Sequence, residues 1–247
     1  MTILTCEKDI RKIRECGKVI KEIFLYLKDR IKAGISTAEL DGEVEKIIRA
    51  SGAEPAFKGY KGYPASICSS VNEVVVHGIP SDDVILKDGD IIGVDVGVKK
   101  KGYFTDAART FIVGTADEET VRLVGTAKKS LSEGIKHAVA GNRVSDISHA
   151  IQLVAESQGF EEVRTFVGHG IGRNLHEAPE VPNWGRKGQG MLLKEGLVLA
   201  IEPMINAGIR DVKIMGDSWT AVTADGRMSA HFEDTVIVGN NKAEIIT

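Results

Sequence analysis

The sequence predicts an α+β fold in which two pairs of helices lie on one side of a mainly antiparallel, curved sheet, and three observations lead there. The first is an internal repeat. LKDGDIIGVDVGV (Leu86 to Val98) and LKEGLVLAIEPMI (Leu193 to Ile205) align at an offset of 107 residues, which lays Asp95 on Glu202. The second is that the same offset superimposes the preceding helical patterns, Leu40, Val44, Ile47 and Gly52 on Ile147, Ile151, Val154 and Gly159. The third is that each half reads as two helices followed by strands. An offset this long exceeds solenoid periods. The chain is therefore expected to be a single domain, 1–247, made of two similar halves, about 1–114 and 115–247.

The elements follow in order. Ile10, Ile13, Ile20, Phe24, Leu27 and Ile31 form one apolar stripe, so a first helix is expected from about Lys8 to Lys32. Ser36 and Glu39 have capping-box spacing and open a second helix, which stops near Gly52. Phe57 to Pro80 is rich in Gly, Tyr and Pro and reads as loops and short strands. Apolar runs then predict strands at about 90–98 and 103–113. Thr115 and Glu118 suggest another capping box, with a helix to about Ala140 ended by Gly141, and a last helix covers about 144–158. Beyond Val163, strands are expected at about 163–168, 197–208, 211–214, 219–223 and 228–238, separated by Gly/Pro loops.

Composition narrows the function. Hydrophobic residues make up 43% and charged residues 27%, as in ordinary soluble proteins, and a net charge of −3 gives no basis for nucleic-acid or membrane binding. The N-terminus MTILTCEKDIRKIREC has charges where a signal peptide needs an apolar core, and no run of about 18 apolar residues occurs. Cys6, Cys16 and Cys68 are odd in number and lack metal-finger spacing, which predicts reduced thiols and a cytoplasmic protein.

The acids carry the chemistry. Asp95 and Glu202 each interrupt an apolar run, and a buried carboxylate is costly unless paired or bound to a cation. A hairpin centred on Lys100 and Lys101 places Asp95 directly opposite Asp106, with Cβ atoms about 4.5–5.5 Å apart. A divalent ion would remove that repulsion; a bulge at Gly102 would instead turn one acid to solvent. Aligning RTFIVG with DTVIVG on Thr110 and Thr235 puts Glu233 two positions from the equivalent of Asp106, on the same face of its strand. Four acids from four strands thus converge, and His169, in the loop GHGIG, is the best nitrogen donor. Four negative charges match two divalent ions. Oxygen-rich ligation with one nitrogen favours Mn(II), Fe(II) or Co(II) over zinc. GHGIGRN has a rival reading as a phosphate loop, but it lacks GxGxxG spacing and Pro179 and Pro182 prevent a full following helix. His77 and His176 lie in loops near the same edge, whereas His137 and His149 are on helices and receive no role.

NEVVVHGIP, VDVGVKKKGYFTDAART, GHGIGRNLHEAP, IEPM and WTAVTADGRMSAHFEDT closely resemble the short type I methionine aminopeptidases, over about Phe57 to Val238. The resemblance implies the duplicated pita-bread fold and removal of the initiator methionine from nascent proteins when the second residue is small. Asp95 would chelate one metal, Asp106 and Glu233 would bridge two, and His169 and Glu202 would complete the second. His77 and His176 match the family's auxiliary histidines, which contact the scissile peptide. Tyr60, Tyr63, Cys68 and Trp219 would form the methionine pocket, with Phe57 and Leu175 nearby, and aromatic and sulfur contacts suit a thioether. Asn72, Val74 and Ser229 match positions whose carbonyls hold a monovalent cation (Na or K) in some members.

The chain departs from the family at four places. Leu175 replaces a commonly aromatic residue, Phe57 a smaller one, Asp234 a histidine and His231 a glutamine. Pocket shape and the tuning of the centre are the properties these changes touch. The short N-terminus, without a zinc-finger extension, resembles bacterial forms. The expected reaction is metal-assisted hydrolysis of the first peptide bond, with Glu202 as proton acceptor, His176 at the oxyanion and His77 at the scissile nitrogen. The expected partners are nascent N-termini, with transient ribosome contact, and the expected state is monomeric. Two rivals are a proline-specific relative on the same fold, which usually carries a further N-terminal domain, and a catalytically dead binding module, which would have lost a ligand.

Overall fold

The computed structural model describes all 247 residues, with helices α1 (Glu7–Arg30), α2 (Thr37–Ala50), α3 (Glu118–Lys136) and α4 (Val144–Ser157). Every strand ladder is antiparallel, as expected for a hairpin-rich sheet. The apolar stripe of α1 packs on the long hairpin formed by Ile91–Lys100 and Tyr103–Ile112, and α3 packs against α4. Pleat alternation then divides the strand Ile91–Lys100. Ile92, Val94, Val96 and Val98 join the core beneath α1 and α2, which leaves Asp95 on the opposite face.

α2 opens as its sequence demands. Ser36 accepts from Glu39 N at 3.1 Å while the Glu39 carboxylate accepts from Ser36 N at 2.9 Å, a reciprocal capping box. Ser36→Ala should cost about 1 kcal/mol of stability. A denaturant titration showing no change in midpoint would mean the cap is replaced by water or a neighbour. The start of α3 differs from expectation. Its cap is Asp117, which accepts from Thr120 N at 2.7 Å, and the Thr115/Glu118 box is not formed. The helix also ends at Lys136, before Gly141. Ala140 N donates to Gly239 O and Gly141 N to Leu193 O, so these residues belong to a turn bound to the second sheet.

The repeat is visible in the hydrogen bonds. Gly34 N donates to Leu86 O, and Gly141 N to Leu193 O; Ala56 N donates to Gly97 O, and Val163 N to Met204 O. Glu54 and Pro55 pair with Lys99 and Val98, just as Glu161 and Glu162 pair with Asn206 and Ile205. Each of these correspondences keeps the 107-residue offset of the sequence repeat. One difference matters for the site. The unbroken strand Ile91–Lys100 has as its counterpart two pieces, Val198–Ile201 and Met204–Asn206, interrupted at Glu202 and Pro203. Proline has no N–H to give the ladder, so the break falls there.

Each half has its own core, and a third cluster joins them. That third cluster contains Phe57, Tyr63, Cys68 and Tyr103 from the first half with Leu175, Val198, Ala200 and Ile237 from the second. Four short strands fall outside those expected: Glu54–Pro55, Glu161–Glu162, Glu177–Val181 and Glu244–Ile245. Expected strands at 197–208 and 228–238 are realised as shorter pieces, Val198–Ile201 and Met204–Asn206, and Ser229–His231 and Asp234–Ile237; the strand expected at 163–168 is not formed, since only Gly168 of that range is in a strand, Gly168–Gly170.

Candidate metal centre

Lys101 and Gly102 both adopt positive φ, 52° and 78°, and form the two-residue turn of the long hairpin. The turn therefore lies one residue later than the sequence suggested. Asp95 stands opposite Ala108, and Asp106 opposite Gly97. The direct opposition of the two acids is corrected to a diagonal. A shift of two positions preserves the face, so both carboxylates still point to the same side of the sheet.

Glu202 and Glu233 come from interruptions rather than from regular strands. Glu202 follows Val198–Ile201 at the proline break, and Glu233 lies between Ser229–His231 and Asp234–Ile237. The Glu233 backbone is fixed to the first half, where its N–H donates to Ala108 O at 2.9 Å and its carbonyl accepts from Arg109 Nη1. Arg109 in turn pairs with Asp234 at 2.5 Å. His169 is on the strand Gly168–Gly170, not in a loop. Its Nδ1 lies 2.9 Å from Gly170 O, a contact that places the proton on Nδ1 and leaves the Nε2 lone pair for a ligand.

These side chains meet. Donor atoms of Asp106, His169 and Glu233 all lie within 4.8 Å of one another, and His169 Nε2 is 3.4 Å from Glu202 Oε1. Burial, followed by the negative charges of Asp106 and Glu202, raises the proton affinity of Asp95. Burial is the main reason all four acids hold protons more tightly than usual. It pushes Asp106 up to about 7, while Asp95, Glu202 and Glu233 rise well above the carboxylate range with further help from their neighbours. Burial also lowers His169 to about 3, so its imidazole is neutral near pH 7. Asp95 Oδ1, Asp106 Oδ1 and Glu233 Oε1 are buried without a hydrogen-bond partner. Orphaned oxygens, clustered acids and one free imidazole nitrogen are the donor set that a hard or borderline divalent cation requires.

Beside the acids is a cavity of about 230 Å³ that contains every expected pocket residue: Phe57, Tyr60, Tyr63, Cys68, Leu175 and Trp219, with His77 and His176. Tyr63 meets Trp219 edge-on at 5.1 Å, and its hydroxyl lies within reach of the Ile67 and Gly78 carbonyls. Phe57 fits because Gly97 has no side chain; a Cβ there would stand 2.4 Å from the ring. His77 has a positive φ of 61° and stacks edge-on between Phe166 and Trp219. Burial, followed by His176, lowers its proton affinity to about 4. A second cavity of about 490 Å³ shares His77, His169, His176 and Glu202 and continues past Phe166. A larger surface cavity of about 980 Å³ near Leu4 and Glu244 contains none of the metal donors.

The candidate monovalent-cation residues are neighbours. Ser229 N donates to Asn72 O at 2.9 Å, Asn72 has a φ of 54°, and Val74 begins the strand Val74–Val76. Sequence reasoning missed Lys61, in the single 3₁₀ turn Tyr60–Gly62 with its ammonium over the Tyr60 ring, and Phe166, in a loop; both stand in unremarkable local sequence. His231 was noted only as a departure. It is 4% exposed, and its Nε2 has no partner and faces Glu202 Oε2 at 3.7 Å.

Comparison with known proteins agrees with this geometry. The profile of metallopeptidase family M24 matches residues 11–240. A methionine aminopeptidase of Clostridium acetobutylicum is 49% identical over 247 residues, covering 100% of this chain and 99% of the relative. The crystal structure of methionine aminopeptidase from Thermotoga maritima superposes with a TM-score of 0.97 at 42% identity, covering 100% of this chain and 99% of that one. Prolidase from Pyrococcus furiosus shares the fold, with a TM-score of 0.79 at 22% identity over 99% of this chain and 65% of that one.

Proposed function

The chain belongs to metallopeptidase family M24, and on that premise we propose that it removes the N-terminal methionine from nascent proteins and peptides whose second residue is small. The observation that carries this reading is that five donors, Asp95, Asp106, His169, Glu202 and Glu233, line one pocket together with aromatic, sulfur and aliphatic side chains. The donor set would suit two divalent ions, Co(II), Mn(II) or Fe(II), held by Asp95, Asp106, His169, Glu202 and Glu233. Bound ions would acidify a water molecule and polarise the first peptide carbonyl. A monovalent ion, Na or K, would take the Asn72, Val74 and Ser229 carbonyls. No helix is long and apolar enough to cross a membrane. All three cysteines are free, which supports the cytoplasm, where nascent chains leave the ribosome, as the place of work.

The protein's own residues divide the work. The 230 Å³ cavity receives the methionine side chain, and the 490 Å³ cavity receives the rest of the peptide. His77 and His176 line both, so the scissile bond lies between them. Glu202, whose proton affinity is raised by burial and by Asp106, accepts the proton of the attacking water. His176 donates to the carbonyl oxygen as it gains charge, and His77 assists at the nitrogen. The chain is read as a single catalytic domain of two similar halves, 1–114 and 115–247, acting as a monomer. In support, each half has its own core, while the ligands come from both.

Substrate choice is the test. Met-Ala-Ser and Met-Gly peptides should be cleaved and Met-Lys hardly at all. Leu-Ala should lose about 10- to 200-fold, the usual discrimination for one methylene or branch. Trp219→Ala should reduce the preference for Met over Leu. Faster hydrolysis of Ala-Pro or Gly-Pro than of Met-Ala would replace this reading with the proline-specific one.

A further inference from the structure

Tyr60 has so far been a wall of the methionine pocket, yet its hydroxyl oxygen lies 2.9 Å from His176 Nδ1, and the two rings are 5.2 Å apart. This is the only hydrogen bond the His176 ring makes with the protein. The same imidazole also packs against His169, with ring centroids 4.3 Å apart and the rings tilted by 57°. Two neighbours thus hold the ring. Its remaining nitrogen, Nε2, has no protein partner and belongs to a side chain that lines both cavities.

We propose that Tyr60 is a positioning residue that fixes the tautomer of His176: its hydroxyl donates to Nδ1 and thereby keeps the proton on Nε2, the nitrogen that faces substrate. The direction follows from acid and base strength. A phenol is a stronger acid than a neutral imidazole N–H, and an unprotonated imidazole nitrogen is a stronger base than a phenol oxygen, so O–H···N is the favoured arrangement. A neutral imidazole carries one proton. With Nδ1 accepting, that proton resides on Nε2, and His176 can donate to a developing oxyanion. In the other tautomer Nε2 would present a lone pair to the same oxygen and repel it. The hydroxyl therefore acts on catalysis through His176, whereas the ring acts on binding.

The assignment of a substrate-facing Nε2 rests on the proposed peptidase reading, but the tautomer itself does not. Two measurements separate them. ¹⁵N imidazole shifts of the whole protein loaded with diamagnetic Zn(II), with His176 identified by its loss in His176→Asn, should show a protonated Nε2 and an unprotonated Nδ1. Tyr60→Phe keeps the ring and deletes the bond; it should lower kcat on Met-Ala-Ser about five- to tenfold, on the scale of one neutral hydrogen bond, with KM within about twofold. The His176 shifts of Tyr60→Phe should move toward a tautomer mixture. A wild-type Nδ1–H tautomer, an unchanged kcat in Tyr60→Phe, or a rise confined to KM would each overturn the proposal. If no Met-Xaa peptide is cleaved while the Nε2–H tautomer is seen, the peptidase reading fails and the positioning by Tyr60 stands.

Discussion

Asp106→Asn should lower kcat/KM by at least about 10³-fold, because a carboxylate that would hold a catalytic metal contributes several kcal/mol to the reaction. The same substitution should leave the metal-free protein at least as stable as wild type. In that state Asp106 is one of four buried acids whose oxygens repel one another, and Asn removes a charge while keeping the shape. The two effects have opposite signs, which distinguishes a ligand from a packing residue. Calorimetric titration with Mn(II), thermal melts with and without metal, and steady-state kinetics read them separately. A large loss of metal-free stability together with unchanged metal affinity would remove Asp106 from the ligand set. Asp234 is a poor control for such work, since its ion pair with Arg109 lies directly behind Glu233.

Complete chelation should abolish hydrolysis, and Co(II), Mn(II) or Fe(II) should restore it. Metal uptake should also release protons. Without metal, Asp106 titrates near 7 and its three acidic neighbours are raised further, so each must give up a proton to become a ligand. Affinity should therefore fall as pH falls below 7, by about tenfold per pH unit for each proton displaced. Stability of the metal-free protein moves the other way through these groups. The folded pKa of Asp106 exceeds its ordinary 3.8, so its contribution is fully present below about pH 4 and is lost as pH rises through 7. His77, His169 and His231 oppose it. Their proton affinities are lowered from 6.5 to about 4, 3 and 3, so their contribution is lost as pH falls below 6.5. Metal affinity that is flat from pH 5.5 to 7.5, measured in buffers of different ionisation enthalpy, would contradict the buried-acid account.

What could be read from the chain depended on whether the signal was local. The Ser36/Glu39 box and the apolar stripe of α1 are local, and both formed. The repeat was legible because an acid inside an apolar run is conspicuous twice at one offset. The hairpin register was misplaced by one turn residue, since Lys100, Lys101 and Gly102 offer two adjacent centres and only tertiary packing chooses. The conclusion survived because a two-residue slip keeps side chains on one face. Asp117 displaced Thr115 as the cap of α3 because both have suitable side chains two residues apart. His169 seemed to be in a loop because its strand has only three residues, two of them glycine. Lys61, Phe166 and the Tyr60–His176 bond lie on segments distant in sequence, and no periodicity points to them.

The matching hydrogen bonds of the two halves have a consequence for symmetry. The strand pairings and turn hydrogen bonds of residues 34–99 recur at the 107-residue offset, and an isologous pair of identical chains would repeat them in the same way. Asp95 and Glu202 are mates at the repeat offset. His169 has a mate as well. It pairs with Ala200 as Ser70 pairs with Gly93, and Ala200 corresponds to Gly93 in the repeat. A true homodimer would have to carry the imidazole twice or not at all. In one chain a serine stands at one of the two equivalent places and a nitrogen donor at the other, so the acids follow the repeat and the histidine breaks it.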